Sequence, residues 1–352
     1  MADAFIAALC ERVKDHAARK APLRIRGGGT KDFYGAARDG EVLDMSPYAG
    51  IVAYEPKELV VTVRAGTRLA DLEAELASQR QMLAFEPPRF GDAATIGGTV
   101  ACAFSGPRRP YAGSARDFVL GTRIVNGKGE DLSFGGRVIK NVAGYDVSRL
   151  MAGALGTLGV ITEISFKVLP LPAAEATLAF DLDEEDATRQ VNLWAGQPLP
   201  LSATAWQDGK LRVRLSGAPT AIAAAKAKMG GEEIDAGRYW EDVREHRLAF
   251  FAGAPVLWRL SVPQTAPSVK TPNAQLIEWG GGLRWTPGPV DAFELRSSVE
   301  RVGGHATLFR GADGAAGVFH PLQPAIAKIH RRLKSAFDPA GVLNPGRMYA
   351  GV

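Results

Sequence analysis

Glycine is the residue that most restricts what this chain can become. The 352 residues include 40 glycines, above an average share of about 7%. They crowd the first half in runs at Gly27-Gly28-Gly29, Gly97-Gly98, Gly135-Gly136 and between Gly153 and Gly159. Flexible linkers mix glycine with serine and lack apolar neighbours. Here each run adjoins an apolar stretch, so the glycines mark tight turns between ordered elements, where a Cβ would clash or a left-handed backbone is needed. Three in a row followed by Thr30 and Lys31 are able to aim successive N–H groups at one point, a nest for phosphate. The loop is not a Walker A motif, whose Gly-x4-Gly-Lys-Ser/Thr spacing is absent, and position 32 is Asp where the G-x-G-x-x-G fingerprint needs glycine. Taken alone it reads as a plain turn.

Composition removes several function classes. Apolar residues make up 46% and charged ones 23%, ordinary globular values for a chain long enough for two domains or one large one. The formal charge of +4 is not gathered into a stripe; Arg108-Arg109 and Arg331-Arg332 are isolated pairs, so no nucleic-acid partner is expected. Cys10 and Cys102 are too few to form a zinc or iron–sulfur site or a disulfide framework by themselves, and the usage fits a reducing cytosol. No apolar run reaches 18 residues, so no membrane-spanning helix is expected. The first twenty residues carry charges at Asp3, Glu11, Arg12, Lys14 and Asp15. They read as an amphipathic surface helix on Ile6, Leu9 and Val13, and not as a signal peptide.

The pattern predicts strands at Leu23–Arg26, Ile51–Tyr54, Val60–Arg64, Val119–Val125 and Val160–Val168, the last with Val160, Thr162, Ile164, Phe166 and Val168 on one face. Thr67 reads as the N-cap of a helix burying Leu69, Leu72 and Leu76. Asn126-Gly127 is a hairpin turn signal. Leu169-Pro170-Leu171-Pro172 ends the first half as a domain boundary. Beyond it, strands are expected at Ala176–Leu182, Leu201–Trp206, Leu211–Ser216, Val256–Val262, Leu276–Trp285 and His305–Phe309, with helices at Ala221–Met229 and Tyr239–Phe250. Their order suggests a duplicated strand–helix–strand unit in a layered α+β domain. A last helix from Gln323 places Ile326, Ile329, Leu333 and Phe337 on one face and stops at Asp338-Pro339.

Further irregular, small-residue segments accompany the first glycine loop: Thr95-Ile96-Gly97-Gly98-Thr99, Ser105-Gly106-Pro107-Arg108-Arg109-Pro110, Gly113-Ser114-Ala115-Arg116-Asp117, Lys140-Asn141-Val142-Ala143-Gly144-Tyr145-Asp146 and Gly153 to Ile161. So much irregular backbone suits a site that lays main chain along an extended ligand. In order and spacing, Gly27–Thr30, Thr95–Gly98, Gly156–Ile161 and Asn344-Pro345-Gly346-Arg347 resemble the vanillyl-alcohol-oxidase (PCMH-type) family of FAD-binding flavoproteins over almost the whole chain. Within it, Ser105–Pro110, Lys140–Asp146, Ile277–Trp285 and Phe337–Met348 are most similar to the E-type FAD-binding subunits of glycolate oxidase (glycolate dehydrogenase).

The resemblance implies an α+β fold: a PCMH-type FAD-binding domain of two α/β subdomains over residues 1–170, an inserted antiparallel α+β cap over 171–320, and a C-terminal segment, 321–352, returning to the FAD domain. It implies that Gly27, Gly28, Gly29 and Thr30 hold the FAD pyrophosphate. Thr95, Ile96, Gly97 and Gly98 would run along the ribityl chain and flavin edge, with Gly113 and Ser114 near the same ligand. Val160 and Ile161 would meet its adenine or flavin side, and Asn344 would approach the isoalloxazine ring. Covalent attachment in this fold uses a His or Cys. No His lies in these loops and Cys102 matches no attachment motif, so FAD is expected to be non-covalent.

Oxidising a 2-hydroxy acid needs a cation for the carboxylate and a base for the hydroxyl proton. Catalytic relatives carry a Gly-His-x-Gly-Asp-Gly-Asn-x-His segment whose histidines help bind a metal and the substrate. Here the corresponding stretch is Gly304-His305-Ala306-Thr307-Leu308-Phe309-Arg310, with His320 the next histidine. No metal is expected and no catalytic residue is assigned. Arg259 and Arg284 are candidates to hold a carboxylate, or else packing residues. Trp258, Trp279 and Trp285 read as packing or partner contacts, and Lys140 as either a flavin neighbour or structural. The resemblance implies an accessory flavin or electron-relay subunit beside a larger flavoprotein subunit and an iron–sulfur subunit, oxidising glycolate or a similar small 2-hydroxy acid. The alternative is a self-sufficient FAD-dependent 2-hydroxy-acid dehydrogenase. The cytoplasm is the expected location, with peripheral attachment to the inner membrane through the complex as a variant of it.

Overall fold

The computed structural model describes residues 2–36, 39–136, 146–311 and 316–352. Among the described residues three larger sheets organise it, beside a short pair of Gln81–Met82 with Leu169–Pro170. A parallel pair, Leu23–Arg26 with Glu41–Asp44, is extended by a bridge from Leu23 to Leu343. The N-terminal helix Ala2–Arg19 covers this pair by burying Ile6, Leu9 and Val13, at the helical spacing their sequence positions show. An antiparallel five-stranded sheet follows, in the order Ile51–Glu55, Val60–Arg64, Val160–Lys167, Val119–Val125, Asp131–Gly135. Leu69, Leu72 and Leu76 of the helix Leu69–Ser78 pack in the core beneath it with Ile164 and Phe166.

The third sheet is antiparallel, has eight strands and is drawn from Ala174 to Arg310. It is a duplication, and a larger one than the sequence suggests. Its first half is Ala174–Asp181, helix Glu184–Ala195, Leu201–Gln207, Lys210–Gly217, helix Pro219–Met229 and Glu232–Ile234. Numbered in chain order, these four strands lie 4-1-3-2 across the sheet. The second half, Leu257–Ser261, Leu276–Glu278, Leu283–Pro287, helix Ala292–Arg301 and His305–Arg310, lies 2-3-1-4, the same order reversed. Each half is a split strand–helix–strand motif. The two join where Leu201–Gln207 pairs with Leu276–Glu278. Irregular chain replaces the first helix of the second copy.

Several expectations fail for local reasons. Thr67 does not cap its helix; Arg68 holds that position, and Thr67 Oγ1 instead accepts from the Gly50 N–H at 2.9 Å. The strand from Val160 is buried on both faces because it sits at the sheet centre. The helix from Tyr239 ends at Arg244, since His246 has φ of 54° and leaves the helical region. The strand expected over 276–285 breaks after Glu278, because Trp279, Gly280 and Gly281 have φ of 57°, 66° and 103°. The Asn126-Gly127 hairpin exists with a longer loop, closed by the Asn126 N–H donating to the Glu130 carbonyl at 3.1 Å. In the last helix, Pro324–Phe337, Leu333 and Phe337 are half-buried but Ile326 and Ile329 are 43% and 50% exposed. Only its second half rests on the core of the five-stranded sheet.

Candidate functional site

Loops at the ends of the two smaller sheets form a cleft, and clefts of this kind are where small-molecule and cofactor sites are found. Gly27, Gly28, Gly29 and Thr30 form one wall, Thr95, Gly97 and Gly98 another, and Gly156, Ile161 and Asn344 close it. Ile96 and Val160 are fully buried in the cores behind. Gly113 and Ser114 are not part of the wall; Ser114 caps the short helix Ala115–Phe118 by bonding to Asp117. Of the run 140–146, residues 140–145 lie outside the described residues.

The glycines are needed for loop against loop. A Cβ on Gly28 would stand 1.5 Å from the Ala93 carbonyl oxygen, and one on Gly27 2.1 Å from Thr95 Oγ1. A Cβ on Gly97 would meet Ala65 Cβ at 2.8 Å. At Gly98 a Cβ would meet only Thr95 Oγ1, at 3.3 Å, so on the protein side that position asks for a shift of a few tenths of an ångström at most. Asn344 lines the cleft and is also held from within: its Oδ1 accepts from the Ile25 N–H at 2.8 Å and its Nδ2 donates to the Leu155 carbonyl at 2.6 Å. It ties the C-terminal segment to both walls.

Charge on the cleft suits an anion. Arg24, Arg26, Lys31 and Arg347 line it against a single carboxylate, Asp32, which pairs with Arg26 at 3.0 Å. The Nε of Arg24 is buried with no hydrogen-bond partner, a costly state unless a ligand supplies an acceptor. Lys31 is buried, its ammonium donates to the Arg89 carbonyl at 3.1 Å, and burial lowers its pKa. A cationic, glycine-walled cleft with an orphaned guanidinium nitrogen fits a pyrophosphate-containing cofactor such as FAD. These cationic residues were missed in the sequence; they adjoin the glycine motifs, so the signal was position beside a motif.

A second cavity lies beneath the eight-stranded sheet and meets the first at Cys102. Phe90, Phe104, Trp279, Trp285 and Phe309 give it aromatic walls. Its polar groups include Tyr34, Ser105, Arg244, His246, Arg259 and Glu278. Glu278 is 4% exposed, its Oε1 accepts from Trp285 Nε1 at 2.8 Å, and burial pushes its pKa up to about 7. Burial holds His246 at about 3, helped by the Arg310 and Arg259 charges, and lifts Tyr34 to about 12 and Cys102 to about 11. Arg259 lies over the Trp279 ring at 5.3 Å, with Arg109 over the same ring at 4.5 Å. Among the described residues, no carboxylate lies within ion-pair distance of Arg259.

Residues 6–135 match the family model of an FAD binding domain. Over 343 residues, 97% of each chain, the sequence is 48% identical to the glycolate oxidase subunit GlcE of Escherichia coli strain K12. The chain belongs to the GlcE family. It is also 32% identical over 173 residues to the glycolate oxidase subunit GlcD of Bacillus subtilis strain 168, covering 49% of this chain and 37% of that one. Among solved structures, an alkyldihydroxyacetonephosphate synthase shares the fold at a TM-score of 0.65 and 15% identity, over 96% of this chain and 75% of that chain.

Within this GlcE-family chain the two arginine candidates separate. Arg259 lines the second cavity. Arg284 is 1% exposed and spent on structure: Glu184 at 3.3 Å, the Ala266 carbonyl at 2.9 Å and the Gly281 carbonyl at 3.3 Å. Trp258 packs in the core beside Val299, whereas Trp279 and Trp285 are cavity walls. His305 opens its strand on the exposed side, its ring centroid 6.4 Å from His320. Among the described residues no three His, Cys, Asp or Glu side chains converge as metal ligands, and no helix is long and apolar enough to cross a membrane. Glu278 and His246 were missed in the sequence. Glu278 lies inside the Ile277–Trp285 motif, but nothing in that motif shows which residue turns inward.

Proposed function

We propose that this chain is the FAD-binding subunit of a multi-subunit glycolate oxidase that converts glycolate to glyoxylate, serving as an accessory, electron-relaying flavin subunit beside a larger flavoprotein and an iron–sulfur subunit. The cleft carries the reading: glycine-walled loops, four cations against one carboxylate, and the unpartnered Nε of Arg24, in a chain 48% identical to a GlcE subunit. Arg24, Arg26 and Lys31 would hold the pyrophosphate beside the Gly27–Thr30 loop, and Thr95, Gly97, Gly98 and Ile161 would line the path of the ring system. Bound there, FAD supplies two-electron oxidation chemistry. Gly113, Ser114, Ile96 and Val160 would act through the loops they support. Asn344 would fix the spacing between the walls.

FAD is held without a covalent bond in this reading. Cys102, the thiol nearest the cleft, is kept protonated by burial, and a thiolate is what would form such a bond. Location in the cytoplasm or at the inner membrane would follow from the partner subunits.

The test is the visible spectrum of the purified chain, before and after acid precipitation and after anaerobic glycolate. The reading expects flavin absorbance that leaves with the acid supernatant and does not bleach with glycolate until the larger flavoprotein subunit is added. A chain that takes up no FAD when titrated with it, alone or with that subunit, would refute the cofactor assignment. Bleaching by the chain alone would replace the relay role with the self-sufficient dehydrogenase.

A further inference from the structure

The C-terminal helix Pro324–Phe337 is covered over only half its length. Ile326, Ile329, Leu333 and Phe337 fall on one side of it at helical spacing. Leu333 and Phe337 pack on the core of the five-stranded sheet, whereas Ile326 and Ile329, on the first turns, face solvent. The uncovered half of the stripe has an apolar neighbourhood. Phe293 of the helix Ala292–Arg301 is 80% exposed and lines a groove with Pro321, Leu322 and Gln323, the residues that lead into the C-terminal helix. A phenylalanine and two isoleucines held in the open mark a surface that something else completes. Its charge is one-sided. The helix carries Lys328, Arg331, Arg332 and Lys334 and not one carboxylate. Lys334 is turned inward to Asp338. The other three are exposed, and among the described residues no carboxylate pairs with them. Arg296 and Glu300 in the groove are one of each sign, so the surplus belongs to the helix.

We propose that this face, from Phe293 across to Ile326 and Ile329, is where the chain docks a partner protein whose apolar contact is rimmed with Asp and Glu, and that this partner is the iron–sulfur subunit of the complex. Charge decides the class of occupant. A second copy docking by two-fold symmetry would set Lys328, Arg331 and Arg332 against themselves. An acidic rim pairs with them and steers the approach. Shape excludes a lipid surface. The uncovered stripe lies on the side that the protein's own body covers one turn further on, and a flat bilayer cannot follow a face that ends in a groove. Position selects the subunit. The helix backs the cleft, because Lys334 donates to the Thr157 carbonyl at 2.8 Å and Leu155, Gly156 and Gly159 beside it line the wall. A protein seated on the helix is parted from the cleft by one helix and one loop, which suits a partner that exchanges electrons with a group held there. A cluster held by cysteine thiolates brings net negative charge of its own. The choice of subunit rests on the relay role; the docking face rests on the side chains alone.

The test is the association kinetics of the FAD-loaded full chain with the cluster-loaded iron–sulfur subunit, followed anaerobically between about 0.05 and 0.5 M salt. Flavin content, and reduction by glycolate with and without the larger flavoprotein subunit, are read on the same samples. The wild type should bind with an association rate that falls as salt rises. Ile326→Ser with Ile329→Ser should lose about thirtyfold or more in affinity, mostly through faster dissociation. Leu193→Ser, at a comparably exposed leucine of the helix Glu184–Ala195, should stay within about twofold. Arg331→Glu with Arg332→Glu should slow association about tenfold and flatten its salt dependence, a change that a merely structural helix would not give. Should the double serine variant fail to fold by circular dichroism, Phe293→Ser carries the comparison. Wild-type affinity in the serine variants, or an equal loss in Leu193→Ser, would overturn the proposal. So would binding through these side chains to the larger flavoprotein subunit, to a second copy or to phosphatidylglycerol vesicles in place of the iron–sulfur subunit. A chain without flavin that still docks supports the face and counts only against the cofactor reading. Docking by a chain that glycolate reduces unaided supports it too and counts only against the relay role.

Discussion

At the residue scale, two neighbouring groups pull the stability of this protein in opposite directions with pH. His246 is neutral in the fold down to about 3, while an unfolded histidine protonates near 6.5. Its depressed pKa therefore gives stability that is whole above 6.5 and is lost as the pH falls toward 3. Glu278 keeps its proton in the fold up to about 7, against 4.5 when unfolded. Its raised pKa gives stability that is whole below 4.5 and is lost as the pH rises toward 7. Each contributes a slope of up to about 1.4 kcal/mol per pH unit, and between 4.5 and 6.5 they oppose. Urea denaturation of the wild type should thus show little dependence on these two groups across that window. His246→Phe should become less stable with rising pH and Glu278→Gln more stable. Parallel curves for both variants would refute the assignment. The glycines make a second contrast. Gly98→Asp should leave a folded protein that no longer retains FAD, because its Cβ asks only Thr95 to give by a few tenths of an ångström and the added charge faces the cationic cleft's ligand. Gly28→Ala should fail earlier, at folding, because its Cβ lands on the Ala93 carbonyl. Soluble yield and flavin absorbance separate the two outcomes. Glycine runs made the cleft legible in sequence; which glycine touches ligand and which touches protein was not legible, because both leave the same residue type.

At the scale of elements, periodicity carried the first half of the chain well. Leu69, Leu72 and Leu76, or Ile6, Leu9 and Val13, announce a buried face by spacing alone, and the structure buries them all. It failed where a backbone leaves its region, as at His246 and Trp279, since a positive φ in a non-glycine residue has no sequence signature. It failed also in the helix Pro324–Phe337, where the pattern of Ile326 and Ile329 promises a core that only Leu333 and Phe337 reach. The anchor of that helix is polar. Lys334, 6% exposed, donates to the carbonyls of Thr157 and Leu343 at 2.8 and 2.7 Å and pairs with Asp338 at 2.8 Å. Asp338 in turn accepts the N–H groups of Val342 and Leu343. Lys334→Met should leave that carboxylate buried without its cation and cost about 3–5 kcal/mol. Lys328→Met on the exposed side of the same helix should stay within about 0.5 kcal/mol of wild type. Urea midpoints of the two variants check the difference, and equal midpoints would show that the helix is held by its apolar residues after all.

At the scale of the whole molecule, the question is what keeps the eight-stranded sheet seated on the rest of the chain, since the second cavity depends on it. The answer lies in the Ser105–Pro110 motif, whose meaning spacing did not reveal. Arg108 is 8% exposed and reaches in two directions: its Nε donates to Glu86 at 3.1 Å and its Nη2 to Glu175 at 2.7 Å. Glu86 also accepts from Arg214 at 2.7 Å, and Arg214 donates to Ser202 at 3.0 Å. Glu86 and Arg108 belong to the FAD-binding part, Glu175, Ser202 and Arg214 to the eight-stranded sheet, so one carboxylate, its side chain 16% exposed, joins the two. Glu245 adds a second tie by accepting from the N–H groups of Arg89 and Phe90. Ions buried this way gain little over an apolar contact, but removing one partner strands the others. Glu86→Gln keeps the shape and removes the charge, leaving Arg214 in the interface without its nearest carboxylate. It should cost about 3–5 kcal/mol and separate the thermal transition into two, with earlier protease cutting at the connecting Leu169–Pro172 segment. Molar salt should barely alter the wild-type transition, because buried pairs are screened far less than exposed ones. A variant that melts in one transition at the wild-type temperature would show that aromatic packing alone, through Phe90, Phe104 and Trp279, holds the cap in place.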